Sequence, residues 1–490
     1  MRVWVLNPPF LPKFSRPQRS PAVTKSGTIY YPIWLAFCTG VLEQAGHEVV
    51  LTDAPARGIS LDATLEQGRR FQPQLLVLDT STPSIENDMS VAARLKELVP
   101  GLFVVAVGTH VSALPEETLR NAAAFDAIAL HEYDYTVRDL AAALSGVARP
   151  LKNTAVLQAI PGLCYRQGDA LVRTPDRPFI ENLDDLPWVS KVYKKHLRIG
   201  DYFNQNSLYP MITLITSRGC PFRCSFCVYP QTMMGRHYRF RSIGDVVKEM
   251  EYVAREFPEA RSIFFEDDTL TANRKRCLEL SDAILERGLK TSWTANSRVE
   301  VDAEAMRRLK AAGCRELCVG FESGDQAILD GMRKGTRLER MRQFMADARQ
   351  AGMLIHGCFM VGFPGETEES VQRTIDLSLE LSPDTAQFYP VMVYPGTEAY
   401  DEYRERGWIT AKHYADWITA DGLHNCVVRN ERFTSAELVR WCDTARRQFY
   451  LRPRYLAYKV GQLVRRPSEI VRTLRAGRVF FRHLMRGSGV

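Results

Sequence analysis

The sequence predicts an α/β protein: a doubly wound parallel sheet, then an open, partial barrel of six strand–helix units, then a helical end. Three observations carry this. Residues 1–145 alternate five short apolar strands with helix-like stretches. Residues 210–395 repeat strand-then-helix at intervals of about twenty-five to fifty residues. The remaining C-terminal sequence, 401–490, is mostly helical in pattern and carries the basic charge.

In the first unit the strands fall at residues 2–6, 48–51, 75–79, 103–107 and 126–130. Helix-like stretches fill 33–45, 61–71, 86–99, 115–123 and 135–144. Such alternation implies a parallel sheet covered on both faces. Ligands of such sheets sit beyond the strand carboxyl ends. Here those loops are Asn7-Pro8-Pro9, Thr80-Ser81-Thr82-Pro83-Ser84 and Gly108-Thr109-His110-Val111-Ser112. Residues 146–205 read as a connector with a small hairpin, 162–166 and 170–173, around Gln167-Gly168-Asp169. The second unit, within 206–400, has strands at 211–216, 262–266, 292–296, 316–321, 354–361 and 385–393. Six units are too few to close an eight-stranded barrel.

At 490 residues, with 45% hydrophobic and 25% charged residues, the composition is that of a soluble globular protein with room for two to four domains. No apolar stretch approaches the eighteen or so residues that span a bilayer. Met1 to Pro9 reads as a strand and turn rather than a signal peptide. Eleven cysteines in such a chain fit a reducing, cytoplasmic compartment better than a disulfide framework. The net charge of +7 is local: from Arg446 onward twelve Lys/Arg meet one acid, Glu469, which leaves the rest at −4.

The strongest chemical signal is Cys220-Pro221-Phe222-Arg223-Cys224-Ser225-Phe226-Cys227, just after the first strand of the second unit. Thiolates select zinc, copper(I) or iron–sulfur clusters. A structural zinc site closes with four ligands, and the nearest other cysteines, Cys164 and Cys277, are about fifty residues away. Three thiolates on one loop suit a [4Fe–4S] cubane with one open iron. This spacing resembles the radical S-adenosylmethionine (SAM) superfamily, which implies that the open iron chelates SAM and the reduced cluster cleaves it to a 5′-deoxyadenosyl radical.

The sheet ahead of that motif resembles the cobalamin-binding-domain radical SAM family. The phrases Gly108 to Glu116 and His131-Glu132-Tyr133-Asp134-Tyr135-Thr136 match its landmarks, and Leu183-Asp184-Asp185-Leu186-Pro187 its lead-in to the barrel. The Asp-x-His-x-x-Gly motif that supplies a lower axial histidine to cobalamin is absent around all nine histidines. Cobalamin thus stays an open expectation, with His110 read as a loop-positioning residue.

The resemblance makes Cys220, Cys224 and Cys227 the cluster ligands and sets Phe226 beside the adenine of SAM. Glu266, Asp267 and Asp268 replace the superfamily's Gly-Gly-Glu-Pro motif and are the catalytic candidates. Three adjacent acids at a strand end need a cation or hydroxyl partner, unless a helix N-terminus accounts for them. Asn296 and Arg298 follow the third strand, and Arg298 could bind the SAM carboxylate as a fork. Glu322 and Ser323 follow the fourth, where the family's Glu meets SAM. Gly362, Pro364 and Gly365 follow the fifth, in a Gly-Phe-Pro-Gly-Glu-Thr phrase whose glycines let backbone approach the cofactor.

The other cysteines read as packing residues. Several phrases (Tyr30 to Leu35, Asp53 to Ala56, Tyr229 to Thr232) are similar to family members acting on amino sugars and glycosides. They imply hydrogen abstraction from a sugar carbon of an amino-sugar or glycolipid substrate, followed by dehydration or rearrangement. Cobalamin-dependent methylation of an unactivated carbon is the alternative, and a non-catalytic Fe–S or cobalamin-binding protein is a third. A reductant such as flavodoxin or ferredoxin is the implied partner. Nothing points to nucleic acid. The basic, amphipathic residues 469–485 are expected to dock on the protein rather than on a membrane.

Overall fold

The computed structural model describes residues 1–147, 151 and 154–465. The first sheet contains β1 (Arg2–Asn7), β2 (Glu48–Asp53), β3 (Leu75–Asp79), β4 (Phe103–Val107), β5 (Ala127–Ala129), β6 (Leu163–Gln167) and β7 (Ala170–Arg173), in the order β2-β1-β3-β4-β5-β6-β7. The first five are parallel. Their order reverses between β1 and β3, the switch point at which open α/β sheets bind ligands. The hairpin expected in the connector pairs antiparallel with β5, so the sheet is mixed at that edge.

Alternation along these strands divides two cores. Trp4, Leu6, Leu76, Leu78, Val104 and Ala106 pack on one face. Val3, Val5, Leu75, Val77 and Val105 pack on the other, in a core continuous with that of the second sheet. The helix Ile33–Gln44 lies in that shared layer and buries residues all round its circumference, from Ile33 to Leu42. Gly40 on this helix has a defined role: a Cβ there would stand 2.5 Å from the Pro187 ring, so glycine lets the connector seat against the helix.

The second sheet runs β15-β14-β13-β12-β11-β8, all parallel. Its strands are β8 (Met211–Leu214), β11 (Ser262–Phe265), β12 (Ser292–Ser297), β13 (Cys314–Glu322), β14 (Leu354–Val361) and β15 (Thr385–Pro390). Between β8 and β11 a short antiparallel ribbon, β9 (Ser217–Arg218) with β10 (Arg239–Phe240), brackets the cysteine loop. Stepping from one edge to the other in chain order makes a barrel wall left open between β8 and β15. Helices behind it start on side-chain caps, such as Ser242 accepting from Asp245 N and Thr367 from Ser370 N.

Beyond β15 the chain is helical at Glu398–Glu405, Ser435–Tyr450 and Pro453–Arg465, with irregular chain across 406–434. Among the described residues no helix is long and apolar enough to cross a membrane. The amphipathic segment 469–485 lies outside the described residues.

Candidate active site

The cysteine loop is built by what holds it. Asp267, fully buried, accepts from Thr216 N at 3.1 Å, from Thr216 Oγ1 at 2.8 Å and from Ser217 Oγ. The turn then needs Gly219, at φ +80°, where a Cβ would lie 2.2 Å from the His237 carbonyl oxygen. Cys220 N donates to Gly235 O, Ser225 N to Met332 O, and Ala399 N to Ser225 O. Backbone from several distant segments therefore fixes the loop before any metal binds. Cys220 and Cys224 are buried and Cys227 is half-buried. Burial, reinforced by Asp268, pushes the Cys220 thiol up to about 11 and that of Cys227 higher still. Metal must displace those protons.

Cations face the same sulfurs. Arg298 Nη1 lies 3.6 Å from Cys224 Sγ, and its guanidinium sits 3.7 Å from the centroid of the Phe222 ring. Lys334 also lies within electrostatic reach of Cys224. Three soft donors on a fixed loop, backed by two cations, fit an iron–sulfur cluster. The sequence offers Arg298 as a fork that could bind the SAM carboxylate. Its remaining donors instead go to Lys334 O at 2.5 Å, Thr336 Oγ1 at 3.1 Å and the Glu300 carboxylate. It is tied into the loop's support.

The acids after β11 meet both a cation and hydroxyls, so a helix N-terminus does not account for them. Arg19, from a hairpin in the N-terminal unit bridged at Ser15 and Ala22, donates to Glu266 at 2.6 Å and to Asp268 at 3.1 Å. Glu266 Oε2 is buried without a partner, and burial pushes this carboxyl up to about 7 although Arg19 opposes the shift. Of the three acids, Asp267 is spent on structure and Glu266 keeps a free oxygen.

The SAM candidates divide. Glu322 adopts φ +65°, rare for a non-glycine residue, and is held by Lys334 Nζ at 2.8 Å with Oε2 unpartnered. Asn296 Nδ2 donates to Asp267 O. Phe226 packs edge-on to Phe363 at 5.6 Å, which joins the cysteine loop to the Gly-Phe-Pro-Gly turn. In that turn Gly362 N and Phe363 N both donate to Glu366, whose carboxyl burial pushes up to about 8. Ser323 turns instead to Thr374, at 3.2 Å. Pro364 is half-buried and Gly365 is exposed, its N–H given to Glu431.

The carboxyl ends of β3 and β4 open on a cleft lined by Arg16, Pro17, Trp34, Asp79, Thr80, Gly108, Thr109, Tyr133, Tyr229 and Met233. Tyr229 lies in the helix that leaves Cys227 and Met233 is its C-cap, so the cleft joins the first sheet to the cysteine loop. Gly108, at φ +120°, would place a Cβ 2.4 Å from Thr80 O. Hydroxyl, amide, carboxyl and guanidinium groups around such a glycine suit the amide-fringed rim of a corrin. The space between them is about 20 Å³, smaller than a corrin, so the fit lies in the chemistry of the lining. The cleft lining holds no histidine. His110 is buried, bonded through Nδ1 to the Thr82 hydroxyl, pushed down to about 3 by burial, and lines a separate cavity of about 490 Å³.

Sequence reading missed the residues that join the halves. Arg218 is fully buried between Asp134 at 2.7 Å and Glu132 at 3.2 Å, and Arg239 reaches Glu132 at 2.7 Å. Both acids lie in the phrase His131 to Thr136, a signal present without its meaning. Arg16, bonded to Asp88 and Asn7, and Arg19 carry no local signal at all.

Comparisons with known proteins agree with this arrangement. The Radical SAM superfamily model matches residues 214–378 and the B12 binding domain model residues 19–141. An uncharacterized methyltransferase of Pyrococcus horikoshii is 31% identical over 431 residues, which is 88% of this chain and 90% of that protein. The chain belongs to the radical SAM enzymes with a B12-binding domain. The anaerobic magnesium-protoporphyrin IX monomethyl ester cyclase of Rubrivivax gelatinosus is 25% identical, over 87% of this chain and 75% of its own length. The fold is shared with the radical SAM methyltransferase TsrM of Kitasatospora setae, at a TM-score of 0.66 and 21% identity over 90% of this chain and 82% of that one. This radical SAM protein is a cobalamin-dependent enzyme, with a [4Fe–4S] cluster, SAM and cobalamin as its cofactors.

Proposed function

We propose that this enzyme methylates an unactivated carbon of a small-molecule substrate. The observation that carries the reading is the common cleft: Tyr229 and Met233, which follow the last cysteine of the loop, line the same space as Asp79, Thr80, Gly108 and Thr109. When bound, the cluster with SAM supplies a hydrogen-abstracting radical, and cobalamin supplies a methyl group. Cys220, Cys224 and Cys227 hold the cluster, and Arg298 and Lys334 offset its negative charge. Glu322, Asn296 and the backbone at Gly362 to Gly365 face SAM, with Phe226 against its adenine. Glu266 holds or accepts a proton at Oε2, and Asp268 with Arg19 fixes its orientation.

The name of the Pyrococcus horikoshii relative supports methyl transfer over the sugar dehydration that the amino-sugar-like phrases suggested, while that of the cyclase supports neither. An electron donor of the flavodoxin or ferredoxin type is part of the proposal. The test uses the reconstituted full-length enzyme under anaerobic conditions, with reductant, cobalamin, methyl-labelled SAM and a metabolite extract. Methylation predicts S-adenosylhomocysteine and 5′-deoxyadenosine in equal amounts, with label in a metabolite. 5′-Deoxyadenosine alone, with no label transferred, would return the case to dehydration or rearrangement.

A further inference from the structure

Exposed apolar side chains are concentrated in one place. Nine large hydrophobic residues are exposed among the described residues, and five of them, Leu451, Leu456, Tyr458, Val460 and Val464, fall within residues 451–464. Scattered single residues would need no account, but a contiguous patch does. Leu456, Val460 and Val464 follow each other at every fourth position of the helix Pro453–Arg465 and are 44%, 64% and 75% exposed. At about 100° per residue they form one stripe.

The opposite side of the helix makes the attachment. Tyr455 is buried, its ring against Phe449 and Tyr450 and its hydroxyl on Asp384 O at 2.9 Å. The stripe is therefore turned outward. Arg454 and Lys459 lie on its two flanks, each about 110° around the helix from its centre. From residue 453 onward the sequence has nine Lys/Arg and one acid, with Ile470, Val471, Leu474, Val479, Phe480, Phe481 and Leu484 among them.

Charge decides the occupant. A second copy, or the sequence after the helix folded back on it, would bring two strongly basic segments together. Location excludes the electron donor as well: Asp384 precedes β15, at the amino end of the sheet, whereas the cysteine loop follows the carboxyl end of β8. An anionic lipid surface satisfies both the apolar stripe and the flanking cations. We propose that the helix Pro453–Arg465 seats this enzyme on an anionic lipid surface, with the cluster-bearing end of the barrel directed away.

Full-length protein is sedimented with phosphatidylcholine vesicles and with the same vesicles carrying phosphatidylglycerol. Partition should be at least about tenfold stronger with phosphatidylglycerol and should weaken as salt is raised. Val460→Asp with Val464→Asp should lose the partition while keeping the thermal unfolding midpoint, since both side chains are exposed. Arg454→Gln with Lys459→Gln should reduce it without abolishing it. Equal partition onto the two vesicle types, no partition, or partition unchanged by the double aspartate variant would overturn the proposal. So would concentration-dependent dimerisation without vesicles that the same variant abolishes, because it would assign the stripe to a second copy.

Discussion

The carboxyl ends of the parallel strands of the two sheets meet across the hairpin of residues 15–22, and they are finished by opposite rules. At the first sheet polar groups close on one another: Asn7 donates to Asp53 at 2.8 Å, and Arg16 to Asn7 at 2.6 Å and Asp88 at 2.5 Å. At the second, Glu266 Oε2, Glu322 Oε2 and Glu366 Oε1 are buried without partners. Among the described residues, unpartnered buried carboxylate oxygens occur only in the second unit. Burying such atoms is costly; these three lie at or beyond the carboxyl ends of β11, β13 and β14, while a fourth, Glu316 Oε1, lies near the amino end of β13. The first sheet's cleft presents hydroxyls, backbone, the Asp79 carboxyl and the Arg16 guanidinium, a set suited to a large ligand with many neutral amides.

The sharpest break in this comparison should come from the cysteines. Replacing Cys220, Cys224 and Cys227 together by Ala should take the iron content of reconstituted protein from about four per chain to none. Cobalamin uptake should be unchanged, because those residues hold nothing at the first sheet. Stoichiometric zinc without iron in the unaltered protein would refute the cluster assignment.

The hairpin itself gives the next largest effect. Arg16 is buried with Asp88, so Arg16→Met strands a buried carboxylate and should cost about 3–5 kcal/mol in denaturant unfolding. The side chain of Arg19 is 31% exposed and partly screened by solvent, but its partners Glu266 and Asp268 are buried, so Arg19→Met should cost less than Arg16→Met, about 1–3 kcal/mol. Equal losses would show that the hairpin is not anchored mainly in the first sheet.

A smaller effect concerns pH. The Glu266 carboxyl is raised by burial from 4.5 to about 7, so the folded state holds its proton more tightly than the unfolded state does. Stability contributed by this group is present below its ordinary value and is lost as pH rises toward 7. Glu266→Gln should flatten the unfolding free energy between those limits. A slope identical to the parent's would contradict the burial of Glu266. Smallest of all is a spectroscopic effect: with no histidine lining the cleft, the cob(II)alamin form should show no nitrogen superhyperfine splitting from a protein imidazole in electron paramagnetic resonance.

What the sequence made legible follows the same division. Strands buried on both faces write themselves as apolar runs, and Val3 to Leu6 or Phe103 to Val107 could hardly be anything else. The cysteine loop was legible because its chemistry is carried by spacing within eight residues. Arg19 and Glu266 are 247 positions apart, and no local pattern links them. The surroundings of Arg298 were hidden for a related reason: the sequence shows the residue but not Lys334 O and Thr336, which fold back to take its donors. The connector hairpin was found as a hairpin, but its pairing with β5 depends on a surface the local sequence does not contain.

Two cofactor faces, built separately, share one cleft in the proposed enzyme, and Gly108 tests this most directly. A side chain at Gly108 would collide with Thr80 O at the first sheet while leaving the cysteine loop untouched. Iron and cobalamin should be counted together in the reconstituted Gly108→Val variant. About four irons should be retained and cobalamin lost; cobalamin held at the parent's level would contradict a separate cobalamin face at the first sheet.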